Sequence, residues 1–405
     1  MFKTFLLPKI LLILILILRV SLFYIPPFHI DMNGWIAWSL RLMQVGPSNF
    51  YSPNFFADYF PGYLYILWVA GSIFNFFSLP INSFSFEFFL KSITTIFDIA
   101  SAFYIYKIVL KYNKQAIFAP ILYLINPAVI FNSSVWGQTD GIFTFFLILS
   151  SYLLIEKRKI FSASFTMALG IIIKPHSLAL LPLFLISSLI NFTKPKIVKS
   201  FVLGVLTLIL LSLPFFLKNP IFGIFDLAFK SQDVYKFTSL FAFNFWGLMG
   251  SWKPDNALFI LSYKTWGIIL YTISMLLIIV PLVRRKIDPK QFYLAASLSL
   301  FSFFLFPTRI HERYLLPFLA FILIAAAVKK SKSLFVIYIV TSIIHFINLW
   351  FVYYYYNFVY NNSKFSNNFF YILVNNNYKF FSLILLGSFF IILFKYYKSI
   401  YVKKS

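Results

Sequence analysis

Few residues in this chain can do chemistry. Among 405 residues there are four His, eleven Asp and Glu, and no Cys. Thiolate catalysis, disulfides and Cys-based metal sites are therefore excluded. The remaining candidates fall in short segments. His29-Ile30-Asp31-Met32-Asn33-Gly34-Trp35 places a carboxylate directly after the first apolar run. Its neighbours Phe28, Ile30, Met32 and Trp35 are apolar and would desolvate it, which suits a general base toward a hydroxyl group. The competing reading makes Asp31 the N-cap of a helix through Trp35–Leu42. A second carboxylate, Asp58, precedes Tyr59-Phe60-Pro61, and it also reads as a helix start with Pro61 in the first turn. Trp136-Gly137-Gln138-Thr139-Asp140 sets an amide and a carboxylate beside an aromatic ring. Proteins hold sugars this way, by stacking and paired hydrogen bonds; an interfacial belt Trp beside a helix cap has the same pattern.

Cations occupy two further places. Lys174-Pro175-His176 interrupts the long apolar stretch 160–192. Pro307-Thr308-Arg309-Ile310-His311-Glu312-Arg313-Tyr314 opens another apolar run with two Arg and one His. At a helix N-terminus such a set favours an anion, and phosphate fits it well. The alternative is a pair of arginines snorkelling to lipid headgroups. Lys91, Thr94, Thr95 and Asp98 share one helical face, which predicts a structural Lys91–Asp98 network. No residue cluster calls for a metal or an organic cofactor.

The elements that must position these residues are apolar helices. The chain is 61% hydrophobic and 11% charged, with mean hydropathy +0.85. Soluble domains are about a quarter charged, so a bilayer and not a soluble core accounts for this composition. Apolar runs lie near 5–25, 88–110, 115–131, 139–155, 200–217, 264–283, 290–306, 313–328, 333–352 and 379–395. The first has a signal-like basic start but no small-residue cleavage pattern follows, so it reads as a retained span. Basic clusters sit at Lys107/Lys111/Lys114, Lys157/Arg158/Lys159, Lys194/Lys196/Lys199, Arg284/Arg285/Lys286/Lys290, Lys329/Lys330/Lys332 and the tail from Lys395. Placing all of them on the cytoplasmic side requires 160–192 to cross twice and 62–80 not to cross, as an interfacial or re-entrant element. Twelve spans result, with both termini inside and eight of the eleven carboxylates on the outer face. The net charge of +24 then flanks the membrane, and no nucleic-acid partner is expected.

These segments, in this order, resemble the GT-C superfamily of multipass glycosyltransferases, in the mannosyltransferase-like and glucosyltransferase-like branch. The resemblance covers most of residues 29–315. It implies an all-α polytopic fold with a transmembrane catalytic module over 1–315, whose first outer loop, 26–87, carries short helices. Residues 316–405 would be C-terminal transmembrane helices. It implies a hexosyltransferase that takes sugar from a polyprenyl-phosphate donor, without a cofactor, and inverts the anomeric carbon. Asp31 would be the catalytic base. Lys174, Arg309, His311 and Arg313 would bind the donor phosphate. Asp58, Trp136, Gln138, Asp140, His176 and Glu312 would bind donor or acceptor. His176 departs from the family, where the position is often Gln. Partners would be the lipid-linked donor, membrane lipid and a glycan, lipid or protein acceptor, at a cell membrane or endoplasmic reticulum. The rival class is a polytopic transporter or lipid-linked saccharide flippase, which would favour midplane charges and repeat symmetry; no internal repeat is visible.

Overall fold

The computed structural model describes residues 2–113, 117–283 and 288–401, with side chains from residue 10 onward. Lys114, Arg284, Arg285 and Lys286 lie outside the described residues. The chain is an all-α, multi-pass membrane protein. Its helices are α1 (Phe2–Ser21), α2 (His29–Val45), α3 (Pro61–Phe76), α4 (Phe84–Leu110), α5 (Phe118–Leu124), α6 (Pro127–Ile130), α7 (Asp140–Ser151), α8 (Ile160–Ile173) and α9 (Leu181–Asn191). They continue as α10 (Lys194–Ser212), α11 (Pro220–Asp233), α12 (Phe245–Met249), α13 (Tyr263–Val283), α14 (Pro289–Leu305), α15 (Leu316–Lys329), α16 (Lys332–Tyr354) and α17 (Phe369–Tyr401). Two-residue strands β1 (Ser239–Leu240) and β4 (Ile310–His311) pair in parallel. β2 (Leu258–Phe259) and β3 (Leu261–Ser262) form an antiparallel hairpin.

Among the described residues, five helices are long and apolar enough to cross a bilayer: α4, α10, α13, α16 with the turn that extends it to Val359, and α17. The number rises to seven if two bent pairs each count as one span. Proline makes both bends. Pro26-Pro27 removes two donors after α1 and holds Ile25 extended (ψ 132°), so α2 leaves at 84°. At the second bend, of 48°, Asn126 caps α6 by accepting from the Ala128 and Val129 amides, and Pro127 occupies the first helical position. The centre of the bundle is α14 against α15. Every residue from Leu315 to Val328 is buried, as a helix apolar on all sides requires.

The bundle has two chemically different ends. At one, buried Glu156 accepts from Lys111 Nζ (2.9 Å), Tyr112 Oη (2.9 Å) and Tyr293 Oη (3.1 Å). At the other lie the polar segments of the preceding section. Helix α3 keeps both its ends near that second end. Its first turn abuts the C-terminus of α8, where a Cβ on Gly62 would sit 2.5 Å from the Ile172 carbonyl oxygen. Near its last turn, Phe74 meets Phe86 and Phe89 at the start of α4, with ring centroids 5.1 and 5.7 Å apart.

Candidate active site

A cavity of about 1060 Å³ opens at the polar end, and Asp31, Asp58, Lys174, His176, Arg309, His311, Glu312 and Arg313 all line it. Segments separated by nearly 300 residues therefore converge on one space.

Asp31 sits in the first turn of α2 but does not cap it; the residue at the cap is Phe28. The carboxylate is held by two buried side chains from the segment ahead of α7. Trp136 Nε1 donates to its Oδ2 at 2.8 Å and Gln138 Nε2 donates to the same oxygen at 2.6 Å. The Gln138 amide cannot be turned round, because its Oε1 already accepts from the Thr139 amide (2.8 Å) and Tyr59 Oη (3.2 Å). Both donors come from the π-helical turn Phe131–Trp136 and its exit at Gly137, whose φ of +83° suits glycine. A Cβ there would press on Met32 Cε at 3.3 Å. Trp136 is fully buried, stacked on Phe28 at 4.3 Å, so no face remains for a sugar. Trp136 and Gln138 thus position Asp31, where the sequence suggested that they contact ligand.

Asp140 and Lys174 also differ from expectation. Asp140 is fully buried at the start of α7 and takes Lys174 Nζ at 2.7 Å. That ammonium also lies 5.1 Å from the Tyr314 ring and 5.6 Å from Phe143. Desolvated charges survive when paired, and this pair meets the requirement. Lys174 is thus not a free cation awaiting an anion, although it borders the cavity.

Arg309 has a different occupation from the expected phosphate ligand. Its Nε donates to buried Asp255 Oδ2 (2.6 Å), and its Nη1 to Asp233 Oδ1 (2.9 Å) and the Gln232 carbonyl (2.7 Å). Its φ of +65° is an uncommon conformation for a side-chain-bearing residue. It ties α11, the 234–257 segment and β4 together. Arg313 is the cation with capacity to spare. Nη1 reaches Glu312 Oε1 at 3.1 Å and lies 3.3 Å from His311 Nδ1. Its Nε has only Asp140 Oδ2 at 4.0 Å, beyond hydrogen-bond range, and finds no acceptor among the described residues. A buried guanidinium nitrogen without an acceptor, in a cavity wall, suits an anionic ligand.

The other titratable groups take their character from burial. Burial pushes the Asp58 carboxyl up, with Arg313 opposing and Asp31 adding to it. Asp58 does not cap α3, which starts at Pro61 after Phe60. Burial, then the neighbouring Arg313 charge, lowers His311, with Glu312 opposing. Glu312 is itself held low: burial works against its charge, but His311 and Arg313 outweigh it. His176 packs against Tyr314 with ring centroids 3.9 Å apart.

The predicted Lys91–Asp98 network does not form. Asp98 pairs with Arg19 Nη1 at 2.8 Å, in a fully buried site where Arg19 also donates to the Leu124 carbonyl. Lys91 instead donates to the carbonyls of Phe23 (3.0 Å) and Ile25 (2.6 Å), capping the broken end of the first span. Sequence reasoning missed a second support. Tyr353 Oη donates to the Pro26 carbonyl (2.6 Å), and Asn357 Nδ2 donates to that of Pro27 (3.0 Å). Asn357 Oδ1 also lies 2.6 Å from His29 Nδ1. Asn357 lies in the π-helical turn Tyr355–Val359 that follows α16. The carbonyls orphaned by Pro26-Pro27 were the available signal that a distant donor was needed.

No family model matches the chain, and no curated protein matches it.

Proposed function

We propose that the protein is a membrane glycosyltransferase. It moves a hexose from a polyprenyl-phosphate donor to an acceptor hydroxyl at the polar end of the bundle, which faces away from the cytoplasm. The observation that carries this reading is the pairing, across one cavity, of a carboxylate held through a single oxygen and a guanidinium nitrogen that lacks an acceptor. Asp31 Oδ1 is left for an acceptor hydroxyl. As Asp31 removes that proton, the acceptor oxygen attacks the anomeric carbon. The bond from that carbon to the phosphate oxygen breaks, and the electron pair leaves with the lipid phosphate. The product phosphate gains one negative charge, which Arg313 offsets with its free N–H. Direct displacement inverts the anomeric centre. The proton on Asp31 returns to solvent through the cavity.

The remainder of the cavity suits a donor that is half lipid. Ile171, Leu178, Leu208, Ile224 and Ile268, from the stretch between α8 and α13, add apolar lining. In this reading the fold is GT-C-like with twelve crossings. Three observations support that count. α3 begins and ends near the same end of the bundle. α8 arrives at the polar end at Lys174, and α10 arrives there again, where Tyr65 donates to the Leu211 carbonyl. The short helix α9 between them must therefore lead away. The test is transfer of labelled sugar from a polyprenyl-phosphate sugar by membranes containing the protein, against membranes containing Asp31→Asn. No transfer above that control with any hexose donor would overturn the reading and favour a carrier.

A further inference from the structure

Two apolar features near the polar end belong to no described packing. The first is α11. Leu227 is buried against the protein and Ile224, Phe225 and Ala228 line the cavity, but Phe222 and Phe229 are exposed by 73% and 68%. Their spacing puts them on one helical face. The second is the hairpin of β2 and β3. Its residues Leu258, Phe259, Ile260 and Leu261 are all exposed, Ile260 by 86%. Ile260 also has a φ of +66°. That conformation favours Gly or Asn, and a β-branched residue there is a genuine outlier. A side chain that is strained by its backbone and bare to water is doubly unfavourable in solution. Both costs become intelligible if the side chain itself is in contact with something apolar.

We propose that α11 and the 258–261 hairpin seat together in the lipid leaflet at the polar end of the bundle, with a preference for anionic headgroups. Continuity with the lipid-facing surface selects the occupant. α11 follows the spanning helix α10, whose Leu210 is exposed by 64%, as is Leu217 in the linker between them, and the hairpin runs directly into the spanning helix α13. Trp266, one turn into α13, donates from Nε1 to the Phe259 carbonyl, so an indole ring braces the hairpin at the interface level. Charge selects the headgroup. Lys218, Lys230, Lys236, Lys253 and Lys264 are all exposed along this segment. The exposed acids Asp226 and Asp233 are already paired, with Lys230 and with Lys236 and Arg309. Lysines beside an aromatic face are what an anionic interface attracts. Arg309, which bonds Gln232 and Asp233 at the end of α11 and Asp255 ahead of the hairpin, would hold the two contacts at a fixed spacing. The inference stands apart from the proposed reaction, since its readout involves no transfer.

The chain has no cysteine, so single labels report cleanly. Spin labels at Phe229→Cys, Ile260→Cys and, as a water reference, the exposed loop position Asn54→Cys are placed in vesicles of equal parts phosphatidylcholine and phosphatidylglycerol. Collision with oxygen is then compared with collision with a water-soluble nickel chelate. The expected oxygen-to-nickel ratio at 229 and 260 is severalfold above that at 54, and it falls at 260 in pure phosphatidylcholine. Ratios at 229 and 260 equal to that at 54 would place both faces in water and overturn the proposal. Labels shielded from both reagents would mean a protein covers the surface and would equally overturn it. Identical ratios in the two vesicle types would overturn the anionic preference.

Discussion

At the scale of single residues, the site depends on which oxygen or nitrogen is left free. Asp31 uses one oxygen for Trp136 and Gln138, so substitutions separate chemistry from support. Asp31→Asn keeps an acceptor for both donors but cannot take a proton. Transfer should fall by roughly 10²–10⁴, with thermal stability near wild type. Asp31→Ala should be equally inactive and also less stable by about 1–3 kcal/mol, because two donors lose their acceptor. Near-normal transfer by the Asn variant, measured with a polyprenyl-phosphate sugar, would remove Asp31 from the mechanism. The two arginines should separate in the opposite sense. Arg309→Ala strands buried Asp255 without its partner, and its chief effect should be a stability loss of about 3–5 kcal/mol in a detergent melt. Arg313→Lys keeps charge but loses the planar fork, so transfer should fall while the melt changes little.

His311 supplies a pH dependence whose sign follows from its burial. Burial and Arg313 lower its folded pKa below the ordinary value, so the folded state holds it neutral. Its contribution to stability is therefore present above the unfolded pKa of roughly 6.5 and is lost as pH falls from there toward the folded value. His311→Gln should flatten the fall in melting temperature between neutral and mildly acidic pH. A wild-type slope retained in the Gln variant would assign that acid sensitivity to other groups.

At the scale of elements, the site is built where helices are broken. Pro26-Pro27 turns the chain into α2, a π-helical turn delivers Trp136 and Gln138, and Lys174 follows the abrupt end of α8. Each break leaves backbone groups without helical partners, and side chains from far along the chain satisfy some of them. Lys91, Tyr353 and Asn357 all do so around the first break. The contact of α3 with α8 is similarly sensitive. A side chain at Gly62 would meet backbone, not a movable side chain. Gly62→Val should therefore cost about 1–3 kcal/mol and also reduce transfer, since α8 carries Lys174 into the cavity wall. Wild-type stability for this variant would show that the two helices separate freely.

At the scale of the whole molecule, the polar cavity and the Glu156 cluster mark opposite ends of the bundle. A cysteine replacing Asn54 and another replacing Lys332, both exposed, should be modified by an impermeant reagent from opposite sides of sealed vesicles. Modification from one side would overturn the twelve-crossing topology and the assignment of α3 as non-crossing.

The sequence alone determined that the molecule is a multi-pass membrane protein and which short polar segments interrupt its apolar runs. Bilayer compatibility is a matter of composition over about 20 residues, and polar segments stand out against such runs without any knowledge of contacts. The convergence of Asp31, Asp58, Lys174 and the Arg309–Arg313 segment followed from the same reasoning, because all were assigned to one face. Only the tertiary structure decided the partners. Asp98 lies seven residues from Lys91 but bonds to Arg19, 79 positions away. Arg309 bonds to Asp255, 54 positions away, and so leaves Arg313, among the described residues of the cavity, as the arginine with an unfilled donor. Local spacing limits which groups can meet on one helix. Between helices, the choice among several nearby charges depends on ångström-scale approach in a low-dielectric interior, where an unpaired charge is costly. That approach is set by how the broken helices pack, which the spacing of residues along the chain does not encode.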